Sequence, residues 1–152
     1  MAVDTDVAPA FDLPALPWIG PLPAADQESE AYWQGLARGE ILIRRCPRCR
    51  WWVHPPLASC PKCGNPEVMP EAVSGAARLY SFSVVHREFA PGIKPPYVVG
   101  LAELSEQRGL RLYANIVNCR EDQLLLDMPL QPVFFAITED VTLLMFEPGS
   151  EL

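Results

Sequence analysis

Four cysteines carry the clearest chemistry in the chain. Cys46-Pro47-Arg48-Cys49 and Cys60-Pro61-Lys62-Cys63-Gly64 are two CxxC knuckles separated by Arg50 to Ser59. Each knuckle puts two thiolates on one turn, and the intervening segment is long enough for a hairpin that brings the turns together into one tetrahedral site. A four-thiolate site leaves no open coordination position, so the predicted metal is a structural Zn(2+) held by Cys46, Cys49, Cys60 and Cys63 rather than a catalytic one. Iron uses the same ligands in electron carriers. Arg50 after the first knuckle, where a glycine would ease the turn, speaks against it, and only the second knuckle has its Gly64. His54 is close in sequence, but the cysteines already fill the site.

Arg44, Arg45, Arg48, Arg50 and Lys62 are five of the chain's 12 basic residues, and Ile41 to Cys63 contains no Asp or Glu. Cations placed there are expected to offset the charge of about −2 on a zinc with four thiolates. The competing role is a nucleic-acid patch. Against it stand a net charge of −7 and an isoelectric point near 4.8, because phosphate neutralisation dominates such binding.

A thiol and a base outside the knuckles are available only as Cys119 and His86, and a lone cysteine beside a strand is usually a small buried hydrophobe. Glu88, Glu103 and Glu106 fall in or near predicted turns, where solvation is the default. No set of residues compels catalysis, so no catalytic residue is assigned.

The elements that position these residues follow from the pattern. With 152 residues and 49% hydrophobic content, the chain suits one core with a small metal module. Residues 1–25 hold Pro9, Pro14, Pro17, Pro21 and Pro23 and no basic residue, predicting an extended arm. Its Phe11, Leu13, Leu16, Trp18 and Ile19 predict that part of it lies on this subunit or on a partner. The N-terminus has neither a basic start nor an apolar signal core, which points to the cytoplasm. No apolar run approaches the ~20 residues of a membrane helix.

Residues 26–40 read as a helical segment, with the helix over 28–38: Asp26 is placed to cap it, Glu28 and Glu30 suit its N-terminus, and Gly39 ends it. Residues 41–70 are the ribbon, entered by the strand Ile41-Leu42-Ile43, with Trp51 and Trp52 expected to cover the metal site. Residues 71–149 then show period two. Strands are predicted over 77–87, 97–104, 110–117, 133–138 and 141–146. In the first, Tyr80, Phe82 and Val84 alternate with Leu79, Ser81 and Ser83. Five strands in about 75 residues predict a mainly β protein whose second part is an OB-fold barrel. The long proline-rich loop from Glu88 to Pro96 is the expected binding element.

The order of motifs is more specific than any one of them. Tyr32-Trp33-Gln34-Gly35-Leu36 precedes the knuckles; Val73-Ser74-Gly75, then Leu79 to Arg87, Pro96-Tyr97-Val98-Val99 and Phe146-Glu147-Pro148 follow. Over residues 30–149 the chain resembles a family of small proteins, long classed as a domain of unknown function, that join a rubredoxin-like zinc ribbon to an OB-fold and are associated with acyl-CoA metabolism. The resemblance implies a non-catalytic accessory subunit in a hetero-oligomer with a thiolase-superfamily protein. Such complexes include thiolase and synthase assemblies, aldolases that shorten steroid side chains, and acyltransferases. The partner would supply the catalytic groups, and the small subunit would help enclose the acyl-CoA. On this basis Arg87 and Lys94 are candidate contacts for the CoA phosphates and Tyr97 for the pantetheine, or all three face the partner. Ala76-Ala77-Arg78 and Asp127 depart from the family pattern. At Asp127 a glycine is common, so the usual geometry of that turn is in question. A nucleic-acid-binding ribbon and barrel is the alternative function.

Overall fold

The computed structural model describes residues 8–150. Their elements are β1 (Ala10–Phe11), α1 (Glu30–Ala37), β2 (Ile41–Arg45), β3 (Trp52–Val53), β4 (Met69–Val73), β5 (Ala77–Val85), β6 (Tyr97–Leu104), β7 (Arg111–Ile116), β8 (Cys119–Arg120), a 3-10 turn (Glu121–Gln123), β9 (Pro129–Ala136) and β10 (Thr142–Pro148). The sheet is as predicted in class: β10-β7-β6-β5-β9 close into a five-stranded barrel, with β10 parallel to β7 and the other pairings antiparallel. That order is the OB arrangement. Among the described residues no helix is long and apolar enough to cross a membrane.

The barrel closes because its inward positions are apolar at every second residue. Along β6, Val98, Ala102 and Leu104 are buried, as are Leu112, Ala114 and Ile116 on β7. Gly100 also points inward. A Cβ there would lie 2.5 Å from Ile116 Cδ1, so only glycine lets the β7 side chain cross β6 at that level. Strand β5 breaks the simple rule. Ala77 and Leu79 face inward, the register shifts between Leu79 and Ser81, and beyond it Phe82 and Val84 pack on the core instead. This bulge at Tyr80 inserts one residue and reverses parity. The prediction that put Tyr80 on one face with Phe82 and Val84 is therefore corrected: Tyr80 is half exposed. Strand β9 also begins earlier than the predicted 133, at Pro129, and carries Pro132 within it. Proline is tolerated because the seam to β5 pairs only Ala77 with Leu130 and Arg78 with Pro129, leaving Pro132 beyond that ladder.

Helix α1 and the second sheet, β3-β2-β4, dock on the barrel through a shared core. Leu36, Ile41, Ile43 and Trp52 belong to the same buried cluster as Leu79, Leu112 and Phe146. The connection is tight. Gly75, between β4 and β5, has φ +84°, and a Cβ there would lie 2.8 Å from Pro132 and 3.3 Å from Ile41. The helix spans 30–37 rather than 28–38. Asp26 does not cap it directly: its Oδ1 accepts from the Ser29 N–H at 2.8 Å and from the Ser29 hydroxyl at 2.5 Å, closing the turn that leads in. Asp26 is held below the usual carboxylate range chiefly by that hydroxyl.

Part of the arm lies on this subunit. Ala10 and Phe11 pair with Arg120 and Cys119, the Glu121 N–H donates to Pro9 O at 2.9 Å, and Phe11 is buried in the barrel cluster. Farther on, Ile19 and Gly20 lie against Gly92, while Leu16, Ile19 and Leu22 remain exposed.

Candidate metal centre and barrel surfaces

The two knuckles fold as equivalent turns. Arg50 N–H donates to Cys46 O and Gly64 N–H to Cys60 O, each at 2.9 Å, and both Arg50 and Gly64 adopt left-handed backbone, φ 63° and 75°. Arg50 thus takes the conformation that glycine takes in the second knuckle. Its identity does not separate zinc from iron, contrary to the expectation from sequence.

These turns bring together the four predicted ligands. Their Sγ atoms all lie within 4.8 Å of one another, with Cys46 and Cys63 at 3.6 Å and Cys49 and Cys60 at 3.6 Å. Tetrahedral ligation with metal–sulfur bonds of about 2.3 Å requires sulfur–sulfur separations of about 3.8 Å. The residues therefore fit the group in number, type and spacing. Burial opposes ionisation of Cys46, but the N–H groups of Cys49 and Arg48 and the neighbouring thiols outweigh it and bring the thiol down to about 6. Cys49 goes the other way, to about 11: the Trp51 N–H lowers it, and burial together with the sulfurs of Cys60, Cys46 and Cys63 raises it by more. Sulfurs this close resist becoming thiolates together unless a cation joins them.

The surroundings of the cluster differ from expectation in two respects. Trp51 packs on the sulfurs with Val53 and Val68, and Lys62 Nζ lies 4.7 Å above its ring. Trp52 faces the opposite way, into the barrel core, with the Arg45 guanidinium 4.4 Å from its ring. Only one of the two indoles covers the site, because adjacent residues of an extended strand point to opposite faces. The basic residues also do something other than bond the sulfurs. Arg45 and Arg50 both reach Glu71 Oε1, at 2.8 and 2.9 Å, and hold its carboxyl below the usual range, Arg45 chiefly by its hydrogen bond. Arg44 Nη1 donates to Leu57 O at 2.9 Å. Donors toward Cys46 Sγ are the Cys49 N–H at 3.5 Å and Asn65 Nδ2 at 3.7 Å. Asn65, two residues after the last cysteine, is a member of the site that charge counting missed.

Gln107 is the other missed residue. From the turn between β6 and β7, 55 positions away, its Oε1 accepts from the Trp52 N–H at 2.9 Å and its Nε2 donates to Trp52 O at 3.2 Å. The side-chain amide thus satisfies both backbone groups of a buried ribbon residue and ties the ribbon to the barrel.

Arg87, Lys94 and Tyr97 gather at one end of the barrel. Tyr97 opens β6 opposite Val85, Arg87 follows β5 with its guanidinium 5.9 Å from the Phe89 ring, and Lys94 is exposed on the intervening loop. None of the three lines the cleft of about 600 Å³ that lies at the other end of β5 and includes Arg78, Tyr80, Arg108 and Gln131. Nine residues of β5 span roughly 26 Å between the two ends at about 3.3 Å per residue. Cys119 is a core residue opposite Phe11, its thiol pushed up by burial. Asp127 adopts left-handed backbone, φ 67°, the region that glycine favours: its N–H donates to Leu79 O at 2.8 Å and its carbonyl accepts from Arg78 at 2.7 Å.

Comparison with known proteins agrees with this architecture. Residues 33–68 match the sequence model of the ChsH2 rubredoxin-like zinc ribbon domain, and residues 70–135 that of the ChsH2 C-terminal OB-fold domain. A DUF35 domain-containing scaffold protein of Methanocaldococcus jannaschii is 34% identical over 71% of this chain and 77% of its own length. A probable enoyl-CoA hydratase alpha subunit of Thermomonospora curvata is 31% identical over 85% of the chain. The 3-oxo-4,17-pregnadiene-20-carboxyl-CoA hydratase alpha subunit of Mycobacterium tuberculosis is 25% identical over 83%. The chain spans about 40% of the length of these two hydratase subunits. Among solved structures, a chain of the Ltp2-ChsH2(DUF35) aldolase superposes with a TM-score of 0.77 at 31% identity, covering 84% of this chain and 98% of that one. A DUF35 protein of unknown function from Sulfolobus solfataricus, at 15% identity and a TM-score of 0.58, shares the fold. The chain belongs to the DUF35 family, with a ChsH2-type rubredoxin-like zinc ribbon followed by a ChsH2-type OB-fold domain.

Proposed function

We propose that this chain is the non-catalytic accessory subunit of an acyl-CoA-processing complex, binding a thiolase-superfamily partner and helping to bind the acyl-CoA while the partner makes or breaks the carbon–carbon bond. The observation that carries this reading is the near-complete correspondence with one chain of an aldolase named for two components. The hydratase alpha subunits support it, since both are named for reactions of CoA thioesters. In this reading residues 41–70 are the metal-held unit and 71–149 the barrel unit. Cys46, Cys49, Cys60 and Cys63 hold a structural zinc, which supplies folding energy to a segment with only a small core of its own.

The chain's own residues position and exclude. Of the exposed arm side chains, Ile19 adjoins the 88–96 loop, where Phe89 is also exposed, and together with exposed Leu16 and Leu22 they offer apolar area to the partner. Arg87 just before that loop and Lys94 within it supply cations for CoA phosphates, and Tyr97 covers the pantetheine. Carrying a thioester into a dry interface gives the partner orientation and water exclusion. Acyl-CoA affinity of the assembled complex, measured at two salt concentrations, tests the loop. Arg87→Ala and Lys94→Ala should each weaken binding and lessen its salt dependence. Unchanged affinity and salt dependence in both would remove the loop from the CoA site.

One observation favours a second reading. Tyr113 is 80% exposed and Tyr80 50% exposed on the outer barrel face, with Arg111 3.5 Å above the Tyr80 ring, the type of surface on which single-stranded bases stack. Arg111 is already paired with Glu103 at 2.7 Å, and the net charge of −7 opposes a polyanion. Salt-sensitive oligonucleotide anisotropy lost in Tyr113→Ala would support that reading, and no binding at low salt would end it.

A further inference from the structure

The N-terminal arm folds a small turn of its own before it reaches helix α1. The Trp18 indole Nε1–H donates to Pro21 O at 3.1 Å, which lays the ring back over its own chain. Gly20 lies beneath that ring. A Cβ there would be 2.8 Å from the indole and 3.4 Å from Ile93 Cγ1, while the φ of Gly20 is outside the left-handed region, so it is space and not backbone conformation that calls for glycine. Across from it, Gly92 has φ +86°, and a Cβ there would meet Ile19 Cγ1 and come within 3.1 Å of Gly20 N. Two glycines, one from the arm and one from the 88–96 loop, thus let the Trp18 turn seat directly on the loop.

The loop has little else to hold it. Ile93 N–H donates to Ala90 O and Gly92 N–H to Glu88 Oε1, each at 3.3 Å, longer than the usual 2.9–3.0 Å. Pro91, Pro95 and Pro96 have no N–H to give, and Phe89 is 74% exposed. Segments with few buried contacts and weak hydrogen bonds are the first to open. The arm, by contrast, is anchored upstream: β1 pairs with β8, and Phe11 is buried in the barrel cluster.

We propose that the Trp18–Pro21 turn is a clasp that holds the 88–96 loop in one conformation before any ligand arrives, with Trp18 and Gly20 as its positioning residues. The clasp is a property of this chain alone; its use in binding rests on the assignment of that loop to acyl-CoA. A loop ordered in advance keeps Lys94 in place and spares the ligand the cost of ordering it.

The test is backbone amide relaxation of the isotope-labelled, zinc-loaded full chain. In the unaltered chain the amides of Gly92, Ile93 and Lys94 should have order parameters near the ~0.85 of rigid backbone, and Ile19 side-chain protons should cross-relax with the Gly92 α-protons. Trp18→Ala removes the ring, and Gly20→Ala wedges a methyl between the ring and Ile93 without straining the backbone. Each should bring those three amides below ~0.6 while β6 and β7 amides keep their values. Loop amides still near ~0.85 in both variants, loop amides already below ~0.6 in the unaltered chain, or disorder spread through β6 and β7 would each overturn the proposal. Acyl-CoA affinity of the assembled complex separates the clasp from the loop's assignment. A loosened loop with affinity lowered several-fold supports both, whereas a loosened loop with unchanged affinity upholds the clasp and removes the loop from the CoA site.

Discussion

Replacing Gln107 by Leu should loosen the ribbon from the barrel at a cost set by two backbone groups. Trp52 is 4% exposed, and its N–H and C=O are both satisfied by the Gln107 amide, at 2.9 and 3.2 Å. Leucine fills similar space but bonds to neither group. Each buried group left unpaired costs about 1–3 kcal/mol, so the pair could reach about 6. A cavity of about 140 Å³ lined by Trp52, Gln107 and Arg108 lets water approach the orphaned groups, which places the expected loss near the lower end, at about 2–3 kcal/mol. For a chain of this size that is a fall in Tm of roughly 5–10 °C. The assay is thermal unfolding with saturating zinc, paired with hydrogen exchange. The Trp52 amide should exchange faster in Gln107→Leu while β6 and β7 amides stay protected. Gln34→Leu is the control, because it removes only an exposed helix pair to Glu30 at 3.1 Å, worth about 0.2–0.5 kcal/mol. A Gln107→Leu loss no larger than the control's would refute the argument that this amide ties the two parts together.

Three further outcomes follow from the same structure. Cys49→Ser should release the metal and change Trp51 emission, since Trp51 packs on the sulfurs; elemental analysis of the unaltered protein should find one zinc per chain, and full iron occupancy or a folded metal-free ribbon would contradict that assignment. Gly100→Ala should destabilise by about 1–3 kcal/mol through overpacking, because the new methyl meets Ile116 at 2.5 Å, and an unchanged urea midpoint would contradict it. Glu103 is held below its ordinary 4.5 chiefly by the Arg111 hydrogen bond. A folded-state value below the unfolded one means its stabilisation is present above about pH 4.5 and is lost as pH falls through the depressed value. Stability measured from pH 7 to pH 2 should therefore fall less steeply on its acid side in Glu103→Gln than in the unaltered chain, and parallel curves would count against the pair.

How far the sequence discloses this molecule depends on how local each signal is. The cysteine cluster was legible because CxxC turns are self-contained: the bonds from Arg50 to Cys46 and from Gly64 to Cys60 close within five residues. The barrel was legible because β6 and β7 alternate without interruption. Tyr80 was misplaced because a bulge leaves no mark in a pattern of apolar and polar residues, yet it exchanges the faces of all that follows. The start of β9 was hidden by Pro129 and Pro132, which are permitted only because their side of the strand is hardly paired. Glu71 and Gln107 were illegible as partners of Arg45, Arg50 and Trp52, since such contacts are chosen by the docking of ribbon on barrel. Arg50 and Asp127 show that a left-handed turn does not require glycine when neighbouring hydrogen bonds hold it.

The central claim is that this chain works only as part of a thiolase-superfamily complex. It is tested most directly by co-expressing it with a thiolase-superfamily protein from the same organism, sizing the product, and assaying acyl-CoA turnover of each chain alone and of the pair. The account predicts a stable hetero-oligomer, turnover in the pair, and none in this chain by itself. A chain that stays alone in the presence of that protein, or that turns over acyl-CoA unaided, would contradict it.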